Sequence, residues 1–281
     1  MCDQDHFEED LRRYSRRDLA AMAAAGMGAA ILPQVADAAD VRGRSVSIET
    51  PDGTCDAFHV SPLQGKHAAV LIWPDIFGLR PAFEQMGTRL AESGYSVLVV
   101  NPFYRSMKSP TAAKGASTSI REVRSLARSL NAETHRADAK AFVGWLDQQE
   151  SVDRDRGIGT TGYCMGGPIV FRTAAAAPER IHAAATFHGG GLVTDQADSP
   201  HRLIPNMKAQ FLIAIAENDD ERDPDAKQRL KESFADADLT AEIEVYPAGH
   251  GWCPPDTRVH NEAQAEKAWA RMLALFERAL A

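Results

Sequence analysis

The chain is expected to form an α/β domain whose mostly parallel sheet is covered by helices on both faces. Three observations lead there. Continuous apolar runs of strand length recur along the body, at 68–73, 95–100, 183–187 and 211–216. Helix-periodic segments separate them, and unbroken apolar strands alternating with helices imply a sheet buried on both sides. One of these units turns sharply from strand to helix through Gly162-Tyr163-Cys164-Met165-Gly166-Gly167.

Taken in order, Val46–Glu49 and Ala57–Val60 flank Pro51-Asp52-Gly53 and read as a hairpin. The run Ala68–Trp73 ends at Pro74-Asp75-Ile76-Phe77-Gly78. A helix over 81–92 comes next, with Phe83, Met86 and Leu90 on one face and Gly94 beyond its end. Strand 95–100 closes at Asn101-Pro102. Residues 106–118 read as a loop, and a helix or helix pair covers 120–148. The short β-branched stretch Gly157–Thr161 leads into the turn at Cys164, and a helix over 168–177 leaves it. Two more strands end at His188 and at Glu217-Asn218-Asp219-Asp220. A helix near 225–235, a strand at 242–246 and a long helix over 261–280 complete the chain.

Composition narrows the function. Apolar residues are 44% and charged residues 25% of 281, an ordinary globular balance. The net charge of -8, with no basic block in the body, argues against a nucleic-acid partner. Cys2, Cys55, Cys164 and Cys253 are widely spaced, so neither a metal site nor a disulfide framework is expected, and no cofactor motif appears. Residues 1–38 have the layout of an export signal. Ser15-Arg16-Arg17-Asp18-Leu19 precedes the uncharged run Ala20–Leu32, and Ala36-Asp37-Ala38 offers a cleavage site. The arginine pair resembles a twin-arginine signal, and the apolar run is too short for a stable membrane anchor. The expected location is therefore the periplasm; the alternative is an ordinary N-terminal helix on a cytoplasmic protein.

A strand turning into a helix around Gly-x-Cys-x-Gly is a nucleophile elbow with Cys in the place of Ser. The glycines relieve crowding at a strained backbone, and the helix N-terminus favours a thiolate. The competing reading is a buried structural cysteine in a tight turn. The residues at the ends of the other strands decide between them. Ligands in open α/β sheets bind beyond the carboxyl ends of the strands. There the chain offers a nucleophile at Cys164, an acid at Asp219 or Asp220, and His250 between two glycines. Nucleophile, acid and His in that order are the α/β-hydrolase chain order. A thiol needs an imidazole to take its proton, and the imidazole needs a carboxylate to hold its tautomer.

Trp73-Pro74-Asp75-Ile76-Phe77-Gly78, Gly162–Gly167, Asn218-Asp219 and Gly249-His250-Gly251 together resemble the dienelactone hydrolase family over residues 45–281. That resemblance implies the α/β-hydrolase fold and a Cys164–Asp219–His250 triad. It also implies an oxyanion hole from the backbone N–H groups of Ile76 and Met165. Asp75, beside Phe77, stands where the family places an acid, commonly Glu, that reaches the cysteine; its side chain is one bond shorter. Arg105 lies near the family's carboxylate-binding Arg, so Asp75, Phe77 and Arg105 are expected on the substrate side. A second such Arg has no match after His250, which weakens dienelactone as the substrate. For Arg105 a structural ion pair is the alternative to an anion clasp. The expected function is a thiol hydrolase acting on a small-molecule ester or lactone. The alternative is a non-catalytic or redox-sensing module on the same fold.

Overall fold

The computed structural model describes residues 32–35 and 38–281. Most of the expected export signal, including Arg16, Arg17 and residues 36–37 of the cleavage site, lies outside the described residues. Eight strands form one sheet in the order β1-β2-β4-β3-β5-β6-β7-β8. They are β1 (Val41–Thr50), β2 (Gly53–Pro62), β3 (Ala69–Trp73), β4 (Ser96–Val100), β5 (Ile158–Tyr163), β6 (Ile181–Phe187), β7 (Gln210–Ala216) and β8 (Ala241–Tyr246). The hairpin β1-β2 joins antiparallel to β4, and the remaining neighbours run parallel. The hairpin strands are longer than the apolar pattern indicates. Backbone pairing from Val41↔Pro62 to Thr50↔Gly53 carries them beyond their buried residues.

The helices are α1 (Pro81–Glu92), α2 (Ile120–Arg128), α3 (Ala132–Leu146), α4 (Gly166–Ala176), α5 (Glu217–Arg222), α6 (Ala226–Asp236) and α7 (Glu262–Ala279). Side chains along a strand alternate between faces, and β3 shows the consequence. Leu71 and Trp73 pack with Phe142 of α3 and Val170 of α4. Val70 and Ile72 pack with Phe83 and Met86 of α1 and Met272 of α7. Burial on both faces is why these strands are apolar throughout rather than alternating.

One local feature decides between two stated alternatives, and one departs from expectation. The 120–148 segment is two helices, because Asn131 caps the second by accepting from the N–H groups of Glu133 and Thr134, while the Thr134 hydroxyl accepts from Asn131 N–H. Residues 217–222, expected as loop, form the short helix α5.

From β3 the chain moves outward to β4, then returns across β3 to β5 on its other side. Strand order reverses at that point, and open α/β sheets bind ligands between the loops that leave such a pair of strands. Ile76 lies just past β3 and Cys164 just past β5.

Candidate active site

Cys164 has φ 52°, a left-handed conformation rare for a residue with a side chain. Its N–H donates to the Phe187 carbonyl at 3.0 Å, and its own carbonyl accepts from Gly167 N–H at 3.0 Å. These bonds hold the turn between β5 and α4. The flanking glycines are required by close approach: a Cβ on Gly162 would clash with the Gly166 carbonyl, and one on Gly166 would run into the Trp73 carbonyl. The second approach presses the end of β3 against the start of α4. As a result Met165 packs on the apolar cluster that contains Ile76, Phe77, Ala112 and Val123. The two residues expected to supply oxyanion N–H groups therefore share one cluster.

His250 sits in the loop after β8. Its Nδ1 lies 2.6 Å from Asp219 Oδ2, and its backbone N–H donates to Asn218 Oδ1 at 2.8 Å. Asn218 and Asp219 are consecutive in α5, so this short helix holds both the main chain and the ring of His250. Asp220 turns to Lys227 instead, at 2.6 Å. Successive residues on a helix diverge by about 100°, so the pair of acids splits between the two tasks.

Behind His250 lies an aromatic wall with no motif in the sequence to announce it. The buried ring of His188 meets His250 edge to face at 5.2 Å and Trp252 at 5.0 Å, and Trp252 stacks on Tyr246. Burial first, then the neighbouring His250, pushes the His188 pKa well down, so its ring is neutral. His188 also has a positive φ, 41°, directly after β6.

Two residues expected on the substrate side are held in ion pairs. Asp75 is buried, and both its oxygens are taken by Arg80, at 2.7 and 2.9 Å. Its Oδ1 also accepts from Phe77 N–H at 2.9 Å. The shorter side chain turns back on its own loop. Arg80 in turn is bidentate to Asp256 in the His250 loop and lies over the rings of Phe77 and Phe83. Phe77 is itself buried beneath this ion network. Arg105 is likewise committed. Its Nε and Nη2 donate to Asp52, and its Nη1 and Nη2 to the buried Asp138. Asp138 also accepts from Tyr104 Oη. With two carboxylates on one guanidinium at the β1-β2 turn, Arg105 matches the structural ion pair that was the alternative to an anion clasp. Arg80 and Asp256, by contrast, were not singled out by sequence; they are 176 residues apart and belong to no motif.

A doubly covered, mostly parallel sheet, a strained cysteine between a strand and a helix, and a His–Asp contact beyond later strands define the α/β-hydrolase class. A model of the dienelactone hydrolase family matches residues 55–280, and the chain belongs to that family of ester and lactone hydrolases. It is 26% identical to a carboxymethylenebutenolidase of Rhodococcus opacus over 230 residues, covering 79% of this chain and 85% of the relative. An Escherichia coli K12 protein provisionally named carboxymethylenebutenolidase is also 26% identical, over 89% of this chain and 91% of its own. A crystal structure from Klebsiella pneumoniae, provisionally a dienelactone hydrolase, superposes with TM-score 0.75 at 24% identity. It covers 85% of this chain and 99% of that one.

Proposed function

We propose that the chain is a thiol hydrolase of carboxylic esters or lactones, with Cys164 as nucleophile, His250 as general base and acid, and Asp219 as the group that orients His250. The observation that carries this is the 2.6 Å contact between His250 Nδ1 and Asp219 Oδ2 at the sheet end where Cys164 stands in its strained turn. With Nδ1 held by the carboxylate, Nε2 is the nitrogen left to take the thiol proton. The Cys164 sulfur then attacks the carbonyl carbon, and the backbone N–H groups of Ile76 and Met165 receive the developing negative charge. Collapse breaks the bond to the alkoxy oxygen, which leaves with the proton from His250. Water, deprotonated by His250, cleaves the resulting thioester and restores the thiol.

The test is ester hydrolysis by Cys164→Ala alongside the parent chain. Loss of turnover with an unchanged circular dichroism spectrum is expected. Full activity in the variant would remove Cys164 from the chemistry and favour a non-catalytic or redox role for its sulfur.

A further inference from the structure

We infer that the site takes esters without a carboxylate, and that their uncharged acyl portion lodges in a cavity between the loops after β3, β4 and β8. This rests on the proposed hydrolase activity and names its substrate class. The cavity has a volume of about 310 Å³, and Pro81, Ala82, Pro110, Ala112 and Pro255 form apolar parts of its wall. That volume suits a small ligand.

Its position ties it to the chemistry. Its walls come from the loop that carries Ile76 and the loop that carries His250. Ala112 is shared: it lines the cavity and is buried in the cluster with Ile76 and Phe77 on which Met165 packs. In this inference a chain leaving a carbonyl held at Ile76 and Met165 reaches the cavity past Ala112.

Its charge excludes an anion. Among the described residues lining it, the charged ones are Arg80 and Asp256, and these are paired with each other. Arg80 also carries Asp75, so one guanidinium faces two carboxylates. Asp256 Oδ2 accepts in addition from Ala116 N–H at 3.2 Å. A substrate carboxylate placed there would meet a net negative cluster and no unpaired cation, and burying an unpaired charge is costly. Arg105, the cation that the sequence offered as an anion clasp, is held by Asp52 and Asp138 at the hairpin turn.

The experiment uses the full chain and compares kcat/KM for 4-nitrophenyl acetate, butyrate and hexanoate with the 4-nitrophenyl monoester of succinic acid. The neutral series should rise by up to about fourfold per methylene buried, the ratio for about 0.8 kcal/mol per CH₂. The succinate monoester should fall at least tenfold below the butyrate. In Ala113→Trp, where an exposed residue on the cavity rim is enlarged, the hexanoate-to-acetate ratio should collapse. A succinate monoester turned over faster than butyrate, or a ratio unmoved by Ala113→Trp, would overturn the inference while the hydrolase reading stands. If no ester is cleaved faster than by Cys164→Ala, the hydrolase reading itself falls.

Discussion

Arg80 and Asp256 clasp two loops that are remote in sequence: Nε donates to Oδ2 at 2.7 Å and Nη2 to Oδ1 at 2.9 Å. The first loop carries Ile76, and the second carries His250. The clasp therefore sets the distance between the proposed oxyanion site and the proposed base. Arg80 is 1% exposed, and its charge is balanced only by its carboxylate partners. Arg80→Met would leave Asp75 buried without a counter-charge, and breaking such a pair costs about 3–5 kcal/mol. Asp256→Asn leaves the Asp75–Arg80 pair intact, so it should fold while loosening the His250 loop. We expect a lowered kcat and little loss in urea midpoint for Asp256→Asn, and a large loss in midpoint for Arg80→Met. Equal midpoints in the two variants would contradict this division.

The adjacent acids of α5 should separate cleanly by mutation. Asp219→Asn removes the carboxylate from His250 and is expected to lower kcat by roughly 10²–10⁴, the usual contribution of general acid–base catalysis. Asp220→Asn loses a partly exposed pair with Lys227, worth at most about 1 kcal/mol. Its kcat should stay within a few-fold of the parent. Steady-state kinetics of the two variants decide the matter, and the reverse ranking would mean that Asp220 carries the imidazole.

Acid should destabilise the fold through its histidines before its carboxylates titrate. Burial, with Arg44 adding to it, lowers the His59 pKa to about 4. Burial and then Arg172 lower that of His135 to about 3. In the unfolded chain a histidine titrates near 6.5, so the unfolded state takes up these protons first. Stability is fully present above pH ~6.5 and falls as pH drops toward the folded values. Each of the two contributes a loss on the order of 2 kcal/mol by pH 5. Urea midpoints measured from pH 7 to 5 should decline, and His59→Gln should soften the slope. A flat profile over that range would show that these rings are protonated in the folded protein.

Residues 1–38 are proposed as a twin-arginine export signal, and the described end of that segment gives the proposal a structural marker. Leu32 packs against the cluster built on α1 and α7, while Ala39 N–H donates to the Glu92 carbonyl at 3.0 Å. Cleavage after Ala38 would release Leu32 and keep the Ala39 anchor. Fractionation of cells expressing the full chain, with N-terminal sequencing of each fraction, should find a periplasmic product that begins at Ala39. A cytoplasmic product that still contains Met1 or Cys2, unaltered by Arg16→Lys with Arg17→Lys, would make the segment an ordinary part of the protein.

Much of the architecture was legible because burial on both faces writes itself as apolar runs. The limits of α1 were readable from Pro81 in its first turn and Gly94 past its end. The helix α5 was not readable, because Glu217–Arg222 is polar throughout and too short for any period. Cys164, Asp219 and His250 stood out because each comes directly after a strand, a rule that acts locally. Arg80 with Asp256 and Arg105 with Asp138 did not, since charge pairing across a fold leaves no spacing in the chain. The same blindness made Arg105 look available for an anion when Asp52 and Asp138 already held it. It also left His188 without a role, because only the fold brings its ring against His250.

All three described cysteines are buried, and burial pushes the thiols of Cys55 and Cys253 up, away from ionisation. Cys164 differs in standing in the turn between β5 and α4. The fold thus sets one of its three described sulfurs at a helix N-terminus. Brief treatment with iodoacetamide in the native state, read by intact mass with Cys164→Ala alongside, would show whether that placement makes Cys164 the thiol that reacts first.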